Sequence, residues 1–138
     1  MVEFEAPIER SKIREFARAT QSASPAYDGP DAVVPPTFLS TLSNFWQPPD
    51  AMPALDFDVR RVLHAGEEFV FHDALPRAGQ ALRVTVRIGD VEEKTGKRGG
   101  TMRFATVVRE FHDSAGTLVA EQRTTLVETS RPPAEGEA

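Results

Sequence analysis

The stretch Pro35-Pro36-Thr37-Phe38-Leu39-Ser40-Thr41-Leu42-Ser43-Asn44-Phe45-Trp46 decides how this chain folds. Phe38, Leu39, Leu42, Phe45 and Trp46 recur with the spacing of one helical face. Pro36 suits a first helical position, where its missing N–H has no intrahelical partner anyway. The residues between them, Thr37, Ser40, Thr41, Ser43 and Asn44, are small and uncharged, as in a helix that keeps little of its circumference in water. The spacing therefore predicts a buried helix over 35–46 that starts abruptly and faces a core.

Upstream, Ile13, Phe16, Ala17 and Thr20 form a stripe while Lys12, Arg14, Glu15 and Arg18 fill the remaining face, which predicts a helix over 9–19. Residues 21–34 are dense in Ser, Pro, Asp and Gly and predict a long surface connection, with Asp28 and Asp31 read as turn chemistry. Pro48, Pro49 and Pro53 make 47–55 a second irregular crossing. Downstream the period changes to two. Leu82, Val84, Val86 and Ile88 alternate with Arg83, Thr85 and Arg87. Residues 102–109 and 117–129 alternate likewise, and 61–71 supplies a fourth strand. Glycine-containing joints at 93–100 and 113–116 predict hairpins, hence an antiparallel meander. The fold class expected is α+β: one domain over 1–129, its antiparallel sheet wrapped around one central helix. A tail over 130–138 has nothing to bury and is expected to be disordered.

With 138 residues the chain has the size of one domain, large enough to bury most of its surface without staples. It contains no cysteine, so disulfides, thiolate metal sites and thiolate catalysis are excluded. Its net charge of −5, from 21 acidic and 16 basic residues, argues against nucleic acid or an anionic membrane as partner. The acidic start lacks a signal-peptide pattern, and no apolar run reaches the ~18 residues of a span, so a soluble cytoplasmic protein is expected.

Several stretches in order carry a resemblance: 13–20, 35–39, Leu63-His64-Ala65-Gly66-Glu67-Glu68-Phe69-Val70-Phe71-His72, Leu75-Pro76-Arg77-Ala78-Gly79, and 113–120. Together they resemble the MaoC-like dehydratases, whose fold is the hot-dog, and most closely their N-terminal, FAS1-like type. That group includes the non-catalytic subunit of the mycobacterial (3R)-hydroxyacyl-ACP dehydratase. The resemblance implies an acyl-CoA or acyl-ACP ligand, and a dimer partner that is either a catalytic MaoC-like subunit or a second copy. No cofactor and no metal is expected, since no histidine pair has zinc-ligand spacing.

Catalytic relatives, the (R)-specific enoyl-CoA hydratases, carry Asp-x-Asn-Pro-x-His after the first helix, and its carboxylate and imidazole handle the water and the proton. Here the stretch reads Ser22-Ala23-Ser24-Pro25-Ala26-Tyr27, so Ser22 stands for the Asp and Tyr27 for the His. A serine hydroxyl is not a base at pH 7, and an unperturbed phenol, ionising near ~10, is a poor one. These relatives also have His-Gly at the start of the buried helix, where backbone N–H groups polarise the thioester carbonyl. Pro35-Pro36 removes those donors, although Thr37 and Phe38 keep theirs.

No catalytic residue is therefore expected in this chain. Substrate contact is expected from Tyr27, Thr37, Phe38, Phe45, Trp46, His64 and Arg77, with the aromatic side chains lining an acyl site. The function expected is a non-catalytic subunit of a heteromeric (3R)-hydroxyacyl-thioester dehydratase or enoyl-CoA hydratase. The alternatives are a homodimeric acyl-CoA or lipid-binding protein without chemistry, and a hot-dog thioesterase. The thioesterase ranks last because 36–47 contains no carboxylate.

Overall fold

The computed structural model describes residues 1–130; the tail expected over 130–138 lies, apart from Ser130, outside them. Strand β1, Val2–Pro7, leads into helix α1, Arg10–Ala19, and a 3-10 turn, Pro25–Tyr27. Helix α2, Ser40–Trp46, follows, then a second 3-10 turn, Val59–Arg61, and four strands: β2 Val62–Phe71, β3 Ala81–Thr95, β4 Thr101–His112 and β5 Leu118–Glu128. All pairs are antiparallel, in the order β1-β3-β4-β5-β2. This is the α+β hot-dog fold that the sequence predicts.

The meander holds for β3, β4 and β5 but not for β2. That strand pairs with β5, Phe71 opposite Ala120 and Val62 opposite Glu128, and so forms the far edge of the sheet. Sequence reasoning also missed β1, although Val2, Phe4 and Ala6 alternate with Glu3 and Glu5. Phe4 and Ala6 are buried and pair with Val84 and Leu82. In β3 the register slips between Ile88 and Val91, at Gly89, where a Cβ would stand 3.3 Å from the Thr106 carbonyl oxygen.

The predicted helix over 35–46 is shorter than expected. From Pro35 the backbone winds through tight bonds spanning three residues, Phe38 N–H to the Pro35 carbonyl (3.0 Å) and Thr41 N–H to that of Phe38 (2.9 Å), before α2 begins at Ser40. Two consecutive prolines offer no N–H groups, and the tighter winding draws Phe38 and Leu39 into the core. Phe38, Leu39 and Leu42 are fully buried with Ile13, Val34, Leu82, Val84, Val107 and Phe111. Each large side chain so placed contributes about 1.5–3 kcal/mol by leaving water. The expected apolar face stops there: Phe45 is 64% and Trp46 42% exposed, because α2 runs past the edge of the core it covers.

Candidate functional site

Helix α1 ends where the Thr20 hydroxyl donates to the carbonyls of Phe16 and Ala17. Gln21 then takes a left-handed φ of 59°, and Ser22 N–H returns to the Ala17 carbonyl at 2.8 Å. Ser24 caps the following 3-10 turn, its hydroxyl oxygen accepting from Ala26 N–H at 3.3 Å. The turn brings Ser22 and Tyr27 into one groove of about 220 Å³, walled by Arg14, Arg18 and Asp28. Asp28 accepts from Gly29 N–H at 3.0 Å, as turn chemistry requires.

Tyr27 also borders a second hollow, an apolar cavity of about 410 Å³ lined by Ala26, Val33, Val34, Pro36, Phe71 and Leu75. Its volume falls in the range of small-molecule sites, roughly 300–1,000 Å³. Its wall offers one phenol and otherwise hydrocarbon, so it can hold an apolar chain and has no carboxylate or imidazole. Of the two backbone donors that remain after Pro36, Phe38 N–H is taken up by the Pro35 carbonyl. Thr37 is exposed, and its carbonyl accepts from the Ser40 hydroxyl at 2.7 Å.

The other residues expected at the site are not gathered around this cavity. Phe38 is a core residue, edge-on to Phe16 with ring centroids 5.6 Å apart. Phe45 lies under the Lys12 ammonium, 4.6 Å from the ring centre, and Trp46 ends α2 beside it. Arg77 donates to the Asp31 carbonyl at 3.0 Å and, with Val33 across an isolated bridge, fastens the loop that walls the cavity. His64 is on β2, on the opposite side of the sheet order from β1.

Around His64 the structure assembles a polar group that sequence reasoning missed. His64 Nε2 lies 2.8 Å from Glu67 Oε2, while Gln122 Nε2 and the Thr124 hydroxyl donate to Glu67 Oε1 at 2.9 and 2.8 Å. Next to it, Arg109 donates to Gln47 Oε1 through Nε and one terminal nitrogen. Burial pushes the Arg109 guanidinium below its ordinary value, with Glu67 acting in the opposite direction. The signal was present in the strand period, because Arg109 shares the inward phase of Ala105, Val107 and Phe111, and Gln122 and Thr124 that of Ala120. The same face ends in a clasp. Glu128 accepts from Arg103 Nε at 2.8 Å and from Asp58 N–H at 2.6 Å, and these bonds, Arg103's first, hold its carboxyl below the usual range. On the other face Glu121 is lowered chiefly by His72, 2.9 Å away, and also by Arg123.

Among the described residues no three His, Cys, Asp or Glu side chains are placed to hold a metal ion, and no helix is long and apolar enough to cross a membrane. Comparison with known proteins gives the arrangement its context. The chain is 35% identical over 132 residues to a UPF0336 protein of Saccharopolyspora erythraea, covering 87% of this chain and 80% of the relative. It superposes with a TM-score of 0.74 and 26% identity on a chain of the C-terminally truncated HadBC (3R-hydroxyacyl-ACP dehydratase) complex of Mycobacterium tuberculosis, over 92% of this chain and 94% of that one. A chain of the ChsH1-ChsH2 complex of the same organism shares the fold at a TM-score of 0.72 and 16% identity, over 96% and 85% of the two chains. A family model described as the FAS1-like dehydratase domain region matches residues 2–122. With a hot-dog sheet of this order and a match over most of its length, the chain belongs to the FAS1-like dehydratase region family.

Proposed function

We propose that this chain is the non-catalytic subunit of a heteromeric (3R)-hydroxyacyl-thioester dehydratase or enoyl-CoA hydratase. It holds the acyl chain and completes a dimer with a MaoC-like subunit that supplies the Asp and His. The observation that carries this reading is the groove shared by Ser22 and Tyr27, which presents two hydroxyls where the reaction needs a carboxylate and an imidazole. The apolar cavity on the other side of Tyr27 supports it, since it can receive hydrocarbon without performing chemistry on it. Strand β2 supports the partnership, because its ten residues leave one row of backbone groups for another chain to pair with.

The test is hydration of crotonyl-CoA by the chain alone and after co-expression with a MaoC-like protein that has an intact Asp-x-Asn-Pro-x-His loop. The expected result is activity only in the complex, with native mass spectrometry showing one copy of each subunit. Hydration by the chain alone that disappears on changing Tyr27 or His64 would overturn the reading. A complex containing only copies of this chain would replace it with a homodimeric acyl-binding protein.

A further inference from the structure

Helix α1 carries Arg10, Arg14 and Arg18 at successive i, i+4 positions, so their side chains rise from one face about 6 Å apart along the axis. All three are exposed, and they line an open groove of about 620 Å³ with Ser11 and Glu15. The Glu15 carboxylate is engaged by Lys12 at 3.2 Å. Four arginines on the strands have acidic partners: Arg83 pairs with Glu3, Arg87 with Glu110, Arg103 with Glu128 and Arg123 with Glu121. The α1 row has no such carboxylate among the described residues. In a chain of net charge −5, it is a concentrated positive surface with unfilled donors.

Its position gives the row a direction. Arg14 and Arg18 belong both to this groove and to the one that holds Ser22 and Tyr27, and Tyr27 in turn borders the apolar cavity. The row, the loop and the cavity are thus joined by shared residues. We propose that Arg10, Arg14 and Arg18 dock an acidic helix of an acyl-carrier protein, so that the acyl group it carries is delivered past Tyr27 into the cavity. This rests on the reading of the chain as an acyl-thioester dehydratase subunit and selects a carrier protein over free coenzyme A. A phosphate is bound by donors that converge on one point, often with backbone N–H groups among them. Three guanidinium groups spread along a helix instead match carboxylates repeated at the same helical spacing on a partner.

The test compares the full chain, in complex with its catalytic subunit, with an Arg10→Glu/Arg14→Glu/Arg18→Glu variant, and with the Gln triple variant as a milder control of folding. Binding of labelled crotonyl-acyl-carrier protein is read by fluorescence anisotropy at low and high salt, beside KM for crotonyl-CoA. The expected result is a loss of carrier affinity of at least about tenfold in the Glu variant, a smaller loss in the Gln variant, a flatter salt dependence in both, and a change in KM for crotonyl-CoA several-fold smaller than the loss of carrier affinity, since Arg14 and Arg18 also wall the Ser22–Tyr27 groove. Unchanged carrier affinity would overturn the proposal. Equal losses for both substrates would also overturn it, assigning the row to the coenzyme A phosphates. Carrier binding by a complex without hydratase activity would count against the proposed function and leave the docking surface standing.

Discussion

Arg109 and Gln122 stand directly opposite each other on β4 and β5, yet their side chains bond in opposite directions. Arg109 reaches Gln47 at the end of α2, and Gln122 reaches Glu67 on the edge strand. The Gln122 carbonyl oxygen is left buried without a partner. The inward face therefore has an apolar half beneath α2 and a polar half beyond it.

Removing Gln47 strands a largely buried guanidinium. Gln47→Ala is expected to lower stability by about 1–3 kcal/mol. Arg109→Met, which removes the charge and keeps the volume, should be nearly neutral. Urea unfolding of the two variants measures this, and a larger loss for Arg109→Met than for Gln47→Ala would refute the account.

The Glu128 clasp makes stability depend on acid. A carboxyl whose folded pKa is depressed contributes stability that is present above its unfolded value, near 4.5, and is lost as pH falls through the folded value. Asp58, pulled to about 2 chiefly by the Arg60 side chain, extends the same loss to lower pH. The urea midpoint should therefore fall as pH drops below about 5 and keep falling to about pH 2, and Glu128→Gln should be weaker at neutral pH but flatter across that window. Parallel pH profiles for the two proteins would contradict this.

Phe38 and Phe45, both expected on one buried face, should now behave differently. Phe38→Ala empties a fully buried position and is expected to cost about 3–5 kcal/mol. Phe45→Ala, exposed in the isolated chain, should stay within about 0.5 kcal/mol. Thermal unfolding of the isolated chain separates them, and comparable losses would show that Phe45 is covered in solution.

Ala26 lines the apolar cavity from the 3-10 turn while its own surface is exposed. Ala26→Trp should fill the cavity, leave the melting temperature nearly unchanged and abolish displacement of a fluorescent fatty-acyl probe. Retained probe binding would place the acyl chain elsewhere.

Much of the architecture was legible because it rests on periodicity. Strands β3, β4 and β5 and helix α1 alternate so regularly that their faces follow from Leu82, Val107 or Ile13 alone. The pairing of β2 was not legible, since Phe71 and Ala120 meet only through topology, and the same Gly and Pro signals at 76–79 serve a hairpin and a crossing equally well. At the site, Ser22 and Tyr27 could be read from their spacing, because a short loop carries both. Phe71 and Leu75 could not, because their place in the cavity depends on a strand changing sides. Phe45 and Trp46 misled for a related reason: helical spacing marks an apolar face but not how far along it the core extends.

The nine residues that join β2 to β3 must pass from the last strand of the sheet to the second, across three strand spacings, ~14 Å. The connection also carries Leu75 to the cavity and fixes Arg77 against the Asp31 carbonyl. Chain length between two anchors is thereby a dimension of the apolar cavity. Inserting residues between Phe71 and Leu75 would change the size of that cavity, while Pro76, fully buried further along the same connection, kept its place in the core.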